Sequence, residues 1–179
     1  MLHSIRTPAL PVLAALAVSL CLATPPAALA FDRAKLDVFT TTNACKYCDL
    51  TDAPLNGRDL RGADLENAKL AGADLSDANL SELEMEKRIL PTNLRSANLR
   101  GANLSNADLT RANLGRAYLR DANLSGANLT EADLTRASLQ GADLTGTNLT
   151  GAKMEGTKLD DAKRCKTVMP DGTVDDSEC

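Results

Sequence analysis

Residues 122–136 read ANLSGANLTEADLTR: leucine returns every fifth residue, preceded by Asn or Asp and, one place further back, by alanine. The register extends both ways. Leucine stands at every fifth position from Leu94 to Leu149, followed in step by Met154 and Leu159, fourteen positions in all. Two places before them lie eleven alanines and three threonines, Thr92, Thr147 and Thr157. An earlier run holds Leu50, Leu55, Leu60, Leu65, Leu70, Leu75 and Leu80 at the same spacing.

A period of five suits neither common element. Five steps of an α-helix advance by about 500°, scattering the leucines around the axis, and in a flat strand residues i and i+5 face opposite sides. The pattern closes if each repeat is a short extended stretch followed by a corner. Positions i−2 and i then point inward, i−1 points outward, and i+1 and i+2 turn the chain. Four corners make a square coil whose narrow interior needs a small residue at i−2 and is filled by stacked leucines at i. Pairs such as Ser125-Gly126 and Thr145-Gly146 suit the corners.

Residues 122–136 resemble the pentapeptide repeat family, and the likeness covers residues 50–159. It implies an all-β fold, a right-handed quadrilateral β-helix. Counting Met85 and Leu90 as weak repeats gives 23, nearly six coils, a rod of about 25–30 Å whose stability is nearly a sum over coils.

The predicted organisation is a signal peptide over 1–30, an N-terminal cap over 31–48, repeats over 49–80, an interruption over 81–93, repeats over 94–163 and a disulfide-closed cap over 164–179. The leader has Arg6, an apolar stretch from Leu13 to Ala23, and Ala28-Leu29-Ala30 before a cleavage point. Pro25 and Pro26 interrupt it, short of the roughly 20 apolar residues of a bilayer span, and Leu20 before Cys21 does not suit lipoprotein processing. Export to the periplasm is expected, or to the thylakoid lumen in a photosynthetic source, with no stable membrane insertion once the leader is removed. The mature chain carries 19 basic and 24 acidic residues, a net charge of −5 that bears on solubility rather than on a particular partner.

In the interruption, Leu83 and Arg88 replace the small residues, and Glu82, Glu84, Glu86, Lys87 and Arg88 form a charged run before Pro91. A short protruding helix or loop is expected, read either as a recognition surface or as a tolerated insertion. Phe31 to Tyr47 is expected to cover the first coil, and the β-prone arms around Pro170-Asp171-Gly172 to form a hairpin over the last.

Four mature cysteines in an exported chain suggest two disulfides. If the pairs occupy opposite ends of a rod, cross-pairing is geometrically excluded. That leaves Cys45–Cys48 and Cys165–Cys179, with an inward, unpaired Cys48 as the alternative, since it lies two before Leu50.

Little in the sequence points to catalysis. The only histidine, His3, is in the leader, so the usual proton-transfer base is missing from the mature chain. Asp64, Asp74, Asp108, Asp133 and Asp143 recur at i−1, where the same pattern accepts Asn, which suggests backbone and surface roles. Cys45-Lys46-Tyr47-Cys48 has the spacing of a redox dithiol but not its fold context, Asp49 stands where c-type haem attachment requires histidine, and the cysteine pairs are too distant for a shared zinc. No enzyme activity, cofactor or metal is expected.

The family resemblance includes a gyrase-binding branch thought to imitate DNA with an acidic rod. Charge runs against that here, because residues 94–136 hold six arginines and four acids. At twenty residues per turn Arg116 and Arg136 share a corner, with Arg95 nearby and Arg120 on the next face. These arginines are a candidate partner surface or a solvated face. Nucleic-acid binding would need more basic surface and stacking aromatics beyond Tyr118. The expected function is a protein-interaction or structural scaffold outside the cytoplasm, monomeric or dimeric; a DNA-mimic regulator and a thiol-redox protein using Cys45 and Cys48 are the alternatives.

Overall fold

The computed structural model describes residues 36, 39–40, 42–86 and 88–179. The signal segment, Phe31, Val38 and Lys87 lie outside the described residues.

The wall is built by parallel bridges between i−1 residues of successive coils. They form four ladders. Face A joins Ala44, Asp64, Asn93, Asn113, Asp133 and Lys153; face B joins Asp49, Lys69, Asn98, Tyr118, Ser138 and Lys158. Face C runs from Pro54 to Lys163, and face D from Asp59 to Val168. Each repeat contributes hydrogen bonds to both neighbouring coils: Leu99 N–H donates to Tyr118 O at 2.8 Å, and Tyr118 N–H donates back to Ala97 O at 2.9 Å. Backbone polar groups are thus consumed along the wall, as burial demands. Inside, the repeat leucines from Leu50 to Leu149 and the alanines at i−2 are buried in one continuous core.

The corners explain the residues at i−1 and i+2. Position i+2 adopts positive φ throughout the wall, at glycines and also at Asn106, Arg116 and Arg136. Asn or Asp at i−1 stabilises this turn with its side chain: the N–H of Ser105 donates to Asn103 Oδ1 at 3.2 Å, and that of Thr130 to Asn128 Oδ1 at 3.2 Å. Asn and Asp present the same acceptor, so they interchange. Threonine at i−2 adds an inward bond, Thr147 Oγ1 donating to Leu124 O at 2.7 Å.

The interruption is a β-hairpin, not the helix or loop expected. Strand β1 (Leu83–Met85) pairs antiparallel with β2 (Arg88–Leu90). Bridges on either side run Ala44 to Asp64 and Asn93 to Asn113, an offset of twenty, whereas Asp64 bridges Asn93 across an offset of 29. Nine residues therefore leave the wall at one corner and the register resumes unchanged. The physical reason is end-to-end distance: departure after Asn79 on face D and return at Asn93 on face A flank a single corner, close enough for Thr92 Oγ1 to reach Ser81 O. A hairpin brings its ends together, whereas a helix carries them apart by 1.5 Å per residue. Met85 and Leu90, counted as weak repeats, belong to this hairpin and not to the wall, while Thr92 and Asn93 are already wall residues.

Both repeat boundaries shift outward. The ladder begins at Ala44, within the segment assigned to the N-terminal cap, because Cys45 and Cys48 substitute for leucine and alanine in the first coil and obscure its register. It ends at Val168, where β3 (Thr167–Val168) and β4 (Val174–Asp175) form the C-terminal hairpin. Buried Leu36 and Phe39 join the core at the first end.

Candidate partner-binding surfaces

The hairpin is fixed at its root and exposed at its tip. Thr92 Oγ1 donates to Ser81 O at 2.9 Å, closing the insertion where it leaves the wall. Glu82 accepts from Arg111 Nη1 at 2.5 Å, and Arg111 Nε donates to Glu131 at 2.6 Å. The Arg111 guanidinium is held above its ordinary pKa, first by Glu131 and then by Glu82. Below, Gly62 sits beneath the strands: a Cβ there would lie 2.9 Å from Leu83 Cβ. Beyond this root Met85 and Ile89 are 58% and 59% exposed, among exposed Glu84, Glu86 and Arg88. Of the expected surface residues in this segment, Glu82 is thus a structural anchor.

Face B forms the second surface. Tyr118 stands in its centre, 58% exposed, between Asn98 and Ser138 on adjacent rungs. Arg100, Arg120 and Gln140 line one side of an open groove of about 600 Å³, Arg136 lies across the ladder from them, and Lys158 stands in the ladder itself, one rung beyond Ser138. Arg116 lies one rung from Arg136 at the same corner, each at positive φ. Arg100 Nη2 and Arg120 Nε approach Asp121 at 3.7 and 3.8 Å, long enough to leave most of their capacity open. Arg95 shares the corner of Arg116 but lies along the wall, where it acts on Asp133. Burial pushes the Asp133 carboxyl up, yet hydrogen bonds from Thr135 together with Lys153 and Arg95 hold it below its ordinary value. Of the predicted arginines, Arg120 and Arg136 line this groove and Arg116 lies beside it at the Arg136 corner, while Arg100, Tyr118, Gln140 and Lys158 are added. The twenty-residue offset that aligns Arg116 with Arg136 also aligns Arg100 with Arg120, so that much was readable from sequence.

The cysteines close the ends. Cys45 and Cys48 are bonded with Cα atoms 5.4 Å apart, and Cys165 and Cys179 with Cα atoms 4.6 Å apart. Cys45 takes the leucine place of its repeat and Cys48 the alanine place of the next, so their spacing matches that of Leu50 and Ala53 across a corner. Cys45 is only 4% exposed, and Cys48 packs against the core. This setting differs from the accessible, electropositive one that activates a dithiol. Among the described residues no cluster of His, Cys, Asp or Glu is arranged to hold a metal, and no helix is long and apolar enough to cross a membrane.

The family model described as pentapeptide repeats matches eight copies over residues 48–82, 92–126 and 127–163, omitting the hairpin and covering more than half of the chain. The chain is a pentapeptide repeat protein. Members of this family fold as right-handed quadrilateral β-helices, in keeping with the four ladders. This pentapeptide repeat protein is 35% identical to HetL of the cyanobacterium Nostoc sp. strain PCC 7120, described as involved in heterocyst differentiation regulation. The match covers 74% of this chain and 66% of HetL, just under two thirds of its length, with a TM-score of 0.57. Rfr23 of the cyanobacterium Cyanothece 51142 is 29% identical over 76% of this chain and 98% of its own, with a TM-score of 0.64. A pentapeptide repeat protein of the Arabidopsis thaliana thylakoid lumen is 28% identical over 68% of this chain and 72% of its own, with a TM-score of 0.51. No curated protein sequence matches the chain.

Proposed function

We propose that this pentapeptide repeat protein is a non-enzymatic protein-interaction module exported from the cytoplasm, with hairpin β1–β2 as its contact element. The observation that carries the reading is the nine-residue excursion, which leaves ladder register intact, is held by Glu82, Thr92 and Gly62, and exposes Met85 and Ile89 at its tip. Large apolar side chains on a protrusion with a fixed base are expected of a docking element. The leader over 1–30 supports export, as does the thylakoid-lumen location of the Arabidopsis relative. The regulatory description of HetL supports action through other macromolecules. Guanidinium, amide and phenol groups line the face B groove, a set suited to binding rather than to proton transfer. Its basic character also argues against an acidic DNA mimic.

Deleting Leu83–Pro91 joins Glu82 to Thr92 and restores a continuous repeat, so the variant keeps its wall. In-cell cross-linking of tagged full-length and deleted proteins, followed by capture from separated envelope and cytosolic fractions, tests the proposal. A dominant envelope partner lost on deletion is expected. Equal capture by the deleted protein overturns the hairpin assignment, and a cytosolic protein retaining its leader overturns export.

A further inference from the structure

We infer that the groove around Tyr118 on face B binds an extended, acidic segment of a partner protein, with carboxylates against Arg116, Arg136 and Lys158 and an apolar side chain on the Tyr118 ring. This surface is separate from the hairpin, which leaves the wall at the corner between faces D and A.

Charge distribution is the first support. Among the described residues Arg116, Arg136 and Lys158 form no ion pair, although eleven other cation–carboxylate contacts involving Lys46, Arg61, Lys69, Arg100, Arg111, Arg120, Lys163 and Arg164 run along the rod. Arginine presents a planar fork that fits a carboxylate with two parallel bonds. Asp121, shared loosely by Arg100 and Arg120, acts as an internal competitor for the same chemistry.

Shape selects the occupant. The Tyr118 N–H and carbonyl are engaged in the ladder, so the face offers side chains only and cannot add a strand. One face is a three-residue extended stretch between corners, roughly 10 Å wide. A globular interface of about 800 Å² per partner does not fit on such a strip. A single extended chain does, and Asn98, Ser138 and Gln140 supply donors and acceptors beside it.

The test uses the full mature chain and fluorescence anisotropy with a labelled twelve-residue Glu-rich peptide containing one Phe. Its control replaces Glu with Gln. The acidic peptide is expected to bind about tenfold tighter than the control, and Arg116→Gln with Arg136→Gln to remove about that factor. Tyr118→Ala should weaken binding about threefold. Asp121→Asn, which keeps a residue tolerant of positive φ, should tighten it by freeing Arg100 and Arg120. Deleting Leu83–Pro91 should leave peptide affinity unchanged, separating this surface from the hairpin. Equal binding of the two peptides, indifference to the arginine substitutions, or preference for dextran sulfate with no dependence on Tyr118 would each overturn the inference.

Discussion

Glu82, at the root of the hairpin, is tied to Arg111 in the following coil by a 2.5 Å contact, and the same guanidinium reaches Glu131 one coil further. One side chain thus bridges the insertion and two coils of the wall. Glu82→Gln should leave global unfolding nearly unchanged while speeding amide exchange across Leu83–Leu90, because a two-stranded hairpin is marginal without tertiary support. Hydrogen–deuterium exchange read by mass spectrometry checks this, with unchanged hairpin protection as the contrary result.

The stacked core sets the largest mutational costs. Leu109→Ala should destabilise the protein by about 2–5 kcal/mol through lost burial and the cavity left behind. At a small position on the same face one rung away, Ala127→Leu should cost at least about 1–3 kcal/mol by overpacking. Urea denaturation of both variants tests whether the i and i−2 positions are as unequal in size tolerance as the narrow coil requires.

Corner chemistry is open to a finer test. Gly126→Ala introduces a Cβ that would lie 2.5 Å from Asn106 Oδ1, at a residue with φ of 68°. A loss of about 1 kcal/mol is expected from the conformation alone. Asn106→Ala in the same protein should recover part of any excess, read as a coupling energy in a double-mutant cycle.

Acid sensitivity follows from the turn carboxylates. Hydrogen bonds from Thr51 hold Asp49 below its ordinary pKa, and those from Ser76 do the same for Asp74. A depressed folded pKa stabilises fully above the unfolded value, about 3.9, and that contribution is lost as pH falls through the folded value. Stability should therefore be flat from pH 5 to 7 and decline below about pH 4. Asp74→Asn, which retains the Oδ1 acceptor, should make the decline shallower. Urea midpoints at pH 7, 5, 3 and 2 decide it.

Reduction should act on the ends. Cys165→Ser with Cys179→Ser opens a loop whose closure contributes about 3 kcal/mol. Exchange should rise in the last coil around Leu144 and Leu149 while Leu99 and Leu104 stay protected; uniform deprotection would contradict a wall stabilised coil by coil.

The wall was legible because each of these repeat positions carries its own constraint. Leucine fills, alanine permits the turn, and Asn or Asp caps it, so the period survives substitutions such as Met154. The hairpin was misread because the charged run from Glu82 to Arg88 has helical composition, whereas the decisive constraint was the distance between its ends. The first repeat, at Ala44-Cys45, escaped notice because a cysteine stands in its leucine place. Tyr118 and Lys158 stand in the variable outward column, so their meeting with Arg120 and Arg136 emerges only when the coils are stacked.

The resumption of register after the hairpin makes this corner a splice junction. A segment whose two ends meet across one corner can be exchanged there without rephasing any later ladder, so contact elements and scaffold can diversify independently. The solenoid then serves as a fixed chassis, and its outward loops become interchangeable cargo.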